Sequence, residues 1–517
     1  MTYASAIESK AIDLVGASLR MTTEASSGHP TSAASLAHLT TVLLYDHMRW
    51  DPRDPDARGS DRLILSEGHA CPIVYAAAAD RGVLLDSGEP MDTEDAQSLR
   101  AIDSPVEGHP NPREGFSFFD TATGSLGQGL SHAAGLALAA RMDGLDTRFF
   151  VLIGDGEARE GQIWEALDFV RDHELQSVCP IFNCNGLAQS DEVAPGQTAD
   201  ALRERLTAIG YAVHDVDGHD ADQIKRALGA HLNAHENGGR PVAVVARTVK
   251  GWGTPSLQGQ GHHGKAVDPE DLIDVLEELD SQRNGGSPDP DLSTPPLPVR
   301  PPASGPYRRD PLTFHEALEA FAVEEWIDDG TLATRKAYGL ALRALGHARD
   351  DVEALDGDVK NSTHTEQFAD DPALAHRYFE ARIAEQNMVS AAAGLAAAGK
   401  IPFVSSFGKF LTRAYDQIEM ALLGGAALRL VGSHCGISLA ADGPSQMALP
   451  DVAWFRALSM VRVDVDLPLI HVLTPSDAVS AYALTVAMAE HDGASYLRTL
   501  RPAVPIAYGA GDTFTLG

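Results

Sequence analysis

Short apolar runs recur along the chain, each ending at glycine, asparagine or aspartate, and the stretches between them carry helical patterns. Runs at 62–65, 148–153, 178–182 and 242–246 are apolar at consecutive rather than alternate positions. That pattern predicts strands buried on both faces, as in a parallel sheet covered by helices. Between them, 127–141 is rich in Ala and Gly at helical spacing, and its small residues permit close packing. A second set of apolar runs, at 402–405, 428–432, 469–473 and 495–497, repeats the alternation without repeating the sequence. The predicted fold class is therefore α/β, with two doubly wound parallel-sheet domains. Residues 281–311 are crowded with Pro, Gly and Asp, which cannot build a core, and read as a linker. The expected division is 1–280, a linker at 281–311, 312–505, and a short Gly-containing segment at 506–517 that reads as the start of a connection.

At 517 residues the chain is long enough for two or three separate cores. Acidic residues outnumber basic ones by 73 − 40 = 33, which argues against nucleic-acid binding through a basic face. Eight of the 40 basic residues are lysine, and this Lys-poor, acidic balance suits a salty cytoplasm as well as it suits an ordinary soluble acidic surface. No apolar run reaches membrane-spanning length and the N-terminus lacks a signal-peptide pattern, so no membrane contact and a cytoplasmic location are expected. Cys71, Cys179, Cys184 and Cys435 lack metal-ligand spacing and read as reduced, buried thiols.

Candidate chemistry gathers where the apolar runs end. Gly154-Asp155-Gly156 follows 148–153, and Asn185-Gly186-Leu187 follows 178–182. Asp155 offers a carboxylate, Asn185 an amide oxygen and Leu187 a carbonyl, the hard oxygens that Mg²⁺ favours together with ligand phosphates. A Gly-Asp-Gly turn alone is more often only a turn. Loops around His29, His69, His109 and His263 each set histidine beside glycine, and four such loops supply the near-neutral donors and acceptors that proton transfer among hydroxyls and carbonyls requires. In the second domain Glu385 opens an Ala-rich helical stretch. It reads either as a favourable helix N-terminal charge or as a carboxyl that can hydrogen-bond a ring nitrogen. Phe407 and Phe410 are spaced to bring two rings together, or are ordinary core aromatics. Loops at 360–363, 433–436 and 441–446 add polar groups beyond strand ends, where open α/β sheets bind ligands.

These segments, in this order, resemble the transketolase family, and Lys-Asn-Ser-Thr, Ala-Glu-Gln-Asn-Met-Val-Ser, Gly-Ser-His-Cys-Gly and Asp-Gly-Pro-Ser-Gln resemble the animal-type pattern most closely. The resemblance covers about 5–510 and implies two thiamine diphosphate-binding domains, one for the diphosphate and one for the pyrimidine. It implies transfer of a two-carbon glycolaldehyde unit from a ketose phosphate to an aldose phosphate. The implied cofactors are thiamine diphosphate and Mg²⁺, with Ca²⁺ or Mn²⁺ as substitutes. By the same resemblance Asp155, Asn185 and Leu187 hold the metal, and Gly124, Ser125, Leu126, Gly156, Glu160, Asn185 and Lys250 hold the cofactor. Glu385, Phe407, Phe410, Arg413 and Gln446 would bind its ring end. His29, His69, His109, His263 and Glu385 are the implied catalytic residues. His29, His263, Arg335, Ser362, His434, Asp442 and Arg498 are the implied substrate contacts, with phosphate at Arg335, Ser362, His434 and Arg498. The implied partners are sugar phosphates and a second copy in a homodimer.

Two departures from that pattern stand out. Glu67 precedes Gly-His-Ala where the family usually has Lys. Family members also usually continue into a third domain, and the resemblance implies either that this chain naturally lacks it or that a separate chain supplies it. A silent thiamine diphosphate-binding subunit or regulator therefore stands as the alternative, along with a related enzyme of the deoxyxylulose phosphate synthase kind. The segment at 458–468 differs from the usual pattern without a functional account.

Overall fold

The computed structural model describes residues 2–283, 292, 307–464, 467–509 and 512–516, so most of the expected linker lies outside the described residues. The chain forms two compact units, Met1–Pro301 and Pro302–Gly517.

The first unit is built on β1 (Arg62–Leu65), β2 (Phe149–Gly154), β3 (Val178–Cys184), β4 (Ala212–Asp217) and β5 (Val242–Arg247). They form one parallel sheet in the order β1-β2-β3-β5-β4. Strands β2 and β3 are buried at every position, as their unbroken apolar runs require. Phe150, Leu152, Ile181 and Val244 of the sheet pack with Ile224 and Leu228 of the helix Ala221–Asn237 in one core. The helix Gly129–Met142 starts hard against β1: a Cβ on Gly129 would lie 2.6 Å from the Ser66 Cβ, so that position admits only glycine without displacement. Strand β4 carried no apolar run. Among the described residues it pairs only with β5, at the edge of the sheet, and its Val-His-Asp-Val-Asp sequence is largely half-buried.

The second unit adds β6 (Thr331–Ala333), β7 (Val352–Asp356), β8 (Tyr378–Glu380), β9 (Ile401–Phe407), β10 (Arg429–Ser433), β11 (Arg462–Asp464), β12 (Leu467–Pro468), β13 (Ile470–Leu473), β14 (Ala494–Arg498) and β15 (Ala503–Pro505). Six of these make a parallel sheet ordered β13-β14-β10-β9-β7-β8. Tyr338, Leu342, Phe403, Val431 and Leu497 share a core between this sheet and the helix Thr334–Ala348. The unusual segment near 458–468 contains the antiparallel pair β11 and β12. Strand β15 pairs antiparallel with β6, and within the 506–517 segment Phe514 packs on the core that holds Phe314, Leu332 and Tyr482. Among the described residues no helix is long and apolar enough to cross a membrane. All four cysteines are free and buried.

Candidate active site

In the first unit the carboxyl ends of β1, β2 and β3 open into one cavity of about 350 Å³. His29, His69, His109, Gly124, Leu126, Asp155, Gly156, Asn185, Leu187, Lys250 and His263 all line it. Ser125 lies between two lining residues, and Glu160 sits behind them: a Cβ on Gly127 would be 2.7 Å from its Cβ. The Asp155 carboxylate accepts hydrogen bonds from the Gly156 and Gly186 backbone N–H groups, both at 2.7 Å. Gln197 donates through Nε2 to the Asp155 and Gly156 carbonyls at 3.0 and 2.8 Å, fixing the turn between β2 and the next helix. Asn185 Oδ1 accepts from the Leu187 N–H at 3.1 Å, an Asx turn that presents the Leu187 carbonyl. Lys250 Nζ reaches that carbonyl at 3.3 Å and His263 Nδ1 at 2.6 Å.

Burial dominates the electrostatics. It raises the Asp155 carboxyl to about 6, against the stabilising Gly186 and Gly156 N–H groups. It lowers His29 to about 3 and His263 to about 4, and takes His69 well below the usual range, the neighbouring cations adding to the effect. His109 and Lys250 are lowered for the same first reason. The rings of His29, His69 and His263 stand 4.8 to 5.3 Å apart. At neutral pH they are neutral imidazoles, each able to donate from one nitrogen and accept at the other.

The residues fit a diphosphate and a hard cation. Asp155, Asn185 and Leu187 offer three oxygens, and among the described residues no three His, Cys, Asp or Glu side chains converge on a metal position. A cation here would complete its shell with diphosphate oxygens and water. Gly124 has φ +138°, and a Cβ there would meet the His109 ring at 2.9 Å, so the backbone lines the cavity bare.

Two buried carboxyls of this cavity lay outside the expected site set. Glu157 accepts from the Gly127 N–H at 2.7 Å and the Gly154 N–H at 3.0 Å, and also bonds the Ser66 hydroxyl. It thereby ties the ends of β1 and β2 to the loop before the helix Gly129–Met142. Burial raises it to about 7. Its place two residues after Asp155 was a visible signal. Glu67 accepts from Asn183 Nδ2 at 2.9 Å.

In the second unit, polar and aromatic groups form a strip along the carboxyl ends of β7, β9, β10 and β14. Glu385, buried at the start of the helix Glu385–Ala397, pairs with Arg413 at 3.1 Å. Its setting therefore includes a guanidinium cation. The Arg413 guanidinium faces the Phe410 ring, and Phe410 stacks parallel on Phe407 with centroids 5.0 Å apart. Phe407 in turn stacks on His434 at 4.0 Å. His434 adopts φ +58°, held by Ser433 Oγ at 2.8 Å from its Nδ1. Arg335 donates to the Ser362 carbonyl at 2.7 Å, so Ser362 meets it through the backbone. Asp442 is exposed and 3.7 Å from Arg501, a cation that no sequence motif had singled out. Gln446 is half-buried in the same loop, its N–H bonded to the Gly443 carbonyl. Arg498 ends β14 and is bound by Asp451, another residue without a sequence motif of its own.

The family model for the transketolase thiamine diphosphate-binding domain matches residues 7–284, and that for the transketolase pyrimidine-binding domain matches 330–506. The chain is 40% identical over 504 residues to mouse transketolase-like protein 2 and 39% identical over 503 residues to human transketolase, in each case spanning 97% of this chain and 75% of the relative. The crystal structure of Campylobacter jejuni transketolase superposes with a TM-score of 0.79 at 23% identity, over 98% of this chain and 80% of that one. That of Pichia stipitis transketolase in complex with sedoheptulose 7-phosphate gives 0.76 at 21% identity, over 97% and 78%. The fold, the two domain matches and the level of identity together place this chain in the transketolase family, whose two domains bind thiamine diphosphate.

Proposed function

We propose that the protein transfers a two-carbon glycolaldehyde unit from a ketose phosphate to an aldose phosphate, using thiamine diphosphate and Mg²⁺. The observation that carries this reading is the convergence, in one cavity, of hard oxygen donors with several neutral histidines. Thiamine diphosphate, when bound, supplies the carbon nucleophile and electron sink that cleavage beside a carbonyl requires. Asp155, Asn185 and the Leu187 carbonyl would hold Mg²⁺, while the bare backbone at Gly124 and Gly156 admits the diphosphate. Lys250 lies within reach of the same anion. Glu385 would hydrogen-bond the aminopyrimidine, with the Arg413 guanidinium at 3.1 Å orienting its carboxyl group. The parallel pair Phe407 and Phe410 offers an apolar face to that ring.

The neutral imidazoles of His29, His69, His109 and His263 would polarise the sugar carbonyl and shuttle protons among its hydroxyls. Asp442 would accept from a donor hydroxyl. Arg335, Arg498, Ser362 and His434 would take the phosphate, where guanidinium forks match its oxygens. The active assembly is a homodimer, as the family resemblance implies.

The test is the purified protein with thiamine diphosphate, MgCl₂, xylulose 5-phosphate and ribose 5-phosphate, assayed for sedoheptulose 7-phosphate. Formation of that product in the dimer fraction from sizing supports the proposal. A preparation that binds thiamine diphosphate yet forms no product overturns the proposed reaction and favours a silent cofactor-binding subunit.

A further inference from the structure

Strands β10 and β14 are parallel neighbours, with Gly432 opposite Arg498. Their carboxyl ends therefore bring His434 and Arg498, two of the proposed phosphate contacts, to the same edge of the sheet. Beneath that edge lies one carboxylate. Asp451 opens the helix Asp451–Ser459, and its side chain is fully shielded from solvent. Arg498 grips it from the side, Nε to Oδ2 at 2.7 Å and Nη2 to Oδ1 at 3.3 Å. The Tyr496 hydroxyl donates to Oδ2 at 2.8 Å, and the Cys435 thiol lies 3.7 Å from the same oxygen. Three groups from two adjacent strand ends thus converge on a single buried anion.

The fold makes room for this convergence. A Cβ at Gly432 would lie 2.3 Å from the Tyr496 hydroxyl, and one at Gly408 would lie 2.8 Å from both that hydroxyl and Cys435 Sγ. Backbone bonds bind the same turn across the strands, Thr499 N–H to the Gly432 carbonyl at 2.8 Å and Cys435 N–H to the Thr499 carbonyl at 3.1 Å. Burying an ion pair of this kind adds little net stability compared with apolar packing, because desolvation offsets the attraction. What it does add is orientation. With the Nε and Nη2 edge committed to Asp451, the rigid guanidinium fork turns its remaining Nη1 end away from the carboxylate.

We propose that Asp451 is a positioning residue for the phosphate end of the substrate: it fixes the Arg498 guanidinium and, through Cys435 and Tyr496, the turn that carries His434. The proposal rests on the sugar-phosphate reading above. The Asp451 side chain is fully shielded from solvent, so its effect belongs to the binding of phosphorylated donors rather than to the chemical step.

The experiment compares the wild type with Asp451→Asn, which keeps shape but removes the charge and one acceptor. Steady-state constants are measured for xylulose 5-phosphate and for the unphosphorylated ketose erythrulose, and xylulose 5-phosphate affinity is measured separately by calorimetry. The expected result is a KM and dissociation constant for xylulose 5-phosphate raised about tenfold or more, the scale of losing one partner of a buried charged hydrogen-bond pair. kcat, and KM for erythrulose, should stay within about twofold. Arg498→Lys should cause a similar loss, and the double variant should lose less than the product of the two, since both act through one contact. Equal effects on both donors, or a lowered melting temperature with unchanged xylulose 5-phosphate affinity, would reduce Asp451 to a structural role. Should the wild type turn over neither ketose, the proposed reaction falls, and the calorimetric comparison still decides the role of Asp451.

Discussion

Glu67 shows how one residue changes the balance of a site. Its carboxyl is buried, accepts from Asn183 and lies 4.0 Å from His69 Nε2. Burial raises its pKa well above the usual Glu range, Glu157 and Asp155 add to the rise, and Asn183 and Lys250 oppose it. The native state therefore holds a proton that the unfolded chain releases near pH 4.3, the ordinary value of about that size for Glu. Stability from this group is complete below that pH and is lost as pH rises toward the raised native value. Glu67→Gln keeps the hydrogen bond from Asn183 and removes the titration. Urea midpoints of the two proteins should diverge as pH rises from about 4.3, with the Gln variant the more stable; parallel curves would mean that Glu67 ionises freely in the fold. At Asp155 the prediction concerns ligands. MgCl₂ with thiamine diphosphate at saturating concentration should raise the melting temperature of the wild type, since a ligand at a hundred times its dissociation constant adds about 2.7 kcal/mol. Asp155→Asn should lose most of that rise, and an undiminished rise would take Asp155 out of the metal set.

At the scale of elements, the helix Thr334–Ala348 is tied to the turn that carries Ser362. A Cβ on Gly339 would stand 2.4 Å from the His364 carbonyl oxygen and 2.7 Å from its Cβ, and His364 itself sits at φ +68°. Gly339→Ala should gain helix propensity yet lose about 1–3 kcal/mol through overpacking. Urea unfolding checks the sign, and a stabilised variant would show that this turn yields easily. The same contrast explains what was legible beforehand. Strands buried on both faces, such as β2, β3 and β9, announce themselves as apolar runs. Strand β4 alternates polar residues on an edge, and β7 carries Glu353 and Asp356 into its buried interior, so neither shows that signal. Asp356 accepts from the Thr363 and Thr365 hydroxyls at 2.6 and 2.9 Å and shapes the Lys-Asn-Ser-Thr turn, a role set by folding rather than by pattern. Site loops at strand ends were legible because Gly, His, Asp and Asn cluster there. Asp451 was not, because its partner Arg498 is 47 residues away and only the sheet brings them together.

At the scale of the whole chain the decisive quantity is charge. A formal net charge of −33 means that carboxylates outnumber the basic groups that could pair with them. Exposed pairs such as Arg247 with Asp200 and Asp215 satisfy a few, and pairs of that kind contribute little each. Added salt weakens those pairs and the repulsion among unpaired carboxylates alike. Repulsion outweighs the pairing here because acidic groups exceed basic ones by 73 − 40 = 33. The screening length falls from about 10 Å at 0.1 M to about 3 Å at 1 M. The thermal midpoint should therefore rise by a few degrees between about 0.05 and 0.5 M NaCl, given that about 1 kcal/mol moves the midpoint of a large domain by roughly 2–4 °C. KCl should give the same rise, since screening depends on ionic strength and not on the cation. Beyond about 1 M, where screening is nearly complete, the two origins of the acidic composition part. A salt-adapted protein keeps gaining stability and retains its turnover there, whereas an ordinary acidic surface levels off. A midpoint that falls from the first addition of salt would mean that the ion pairs, and not the excess of carboxylates, govern the stability of the chain.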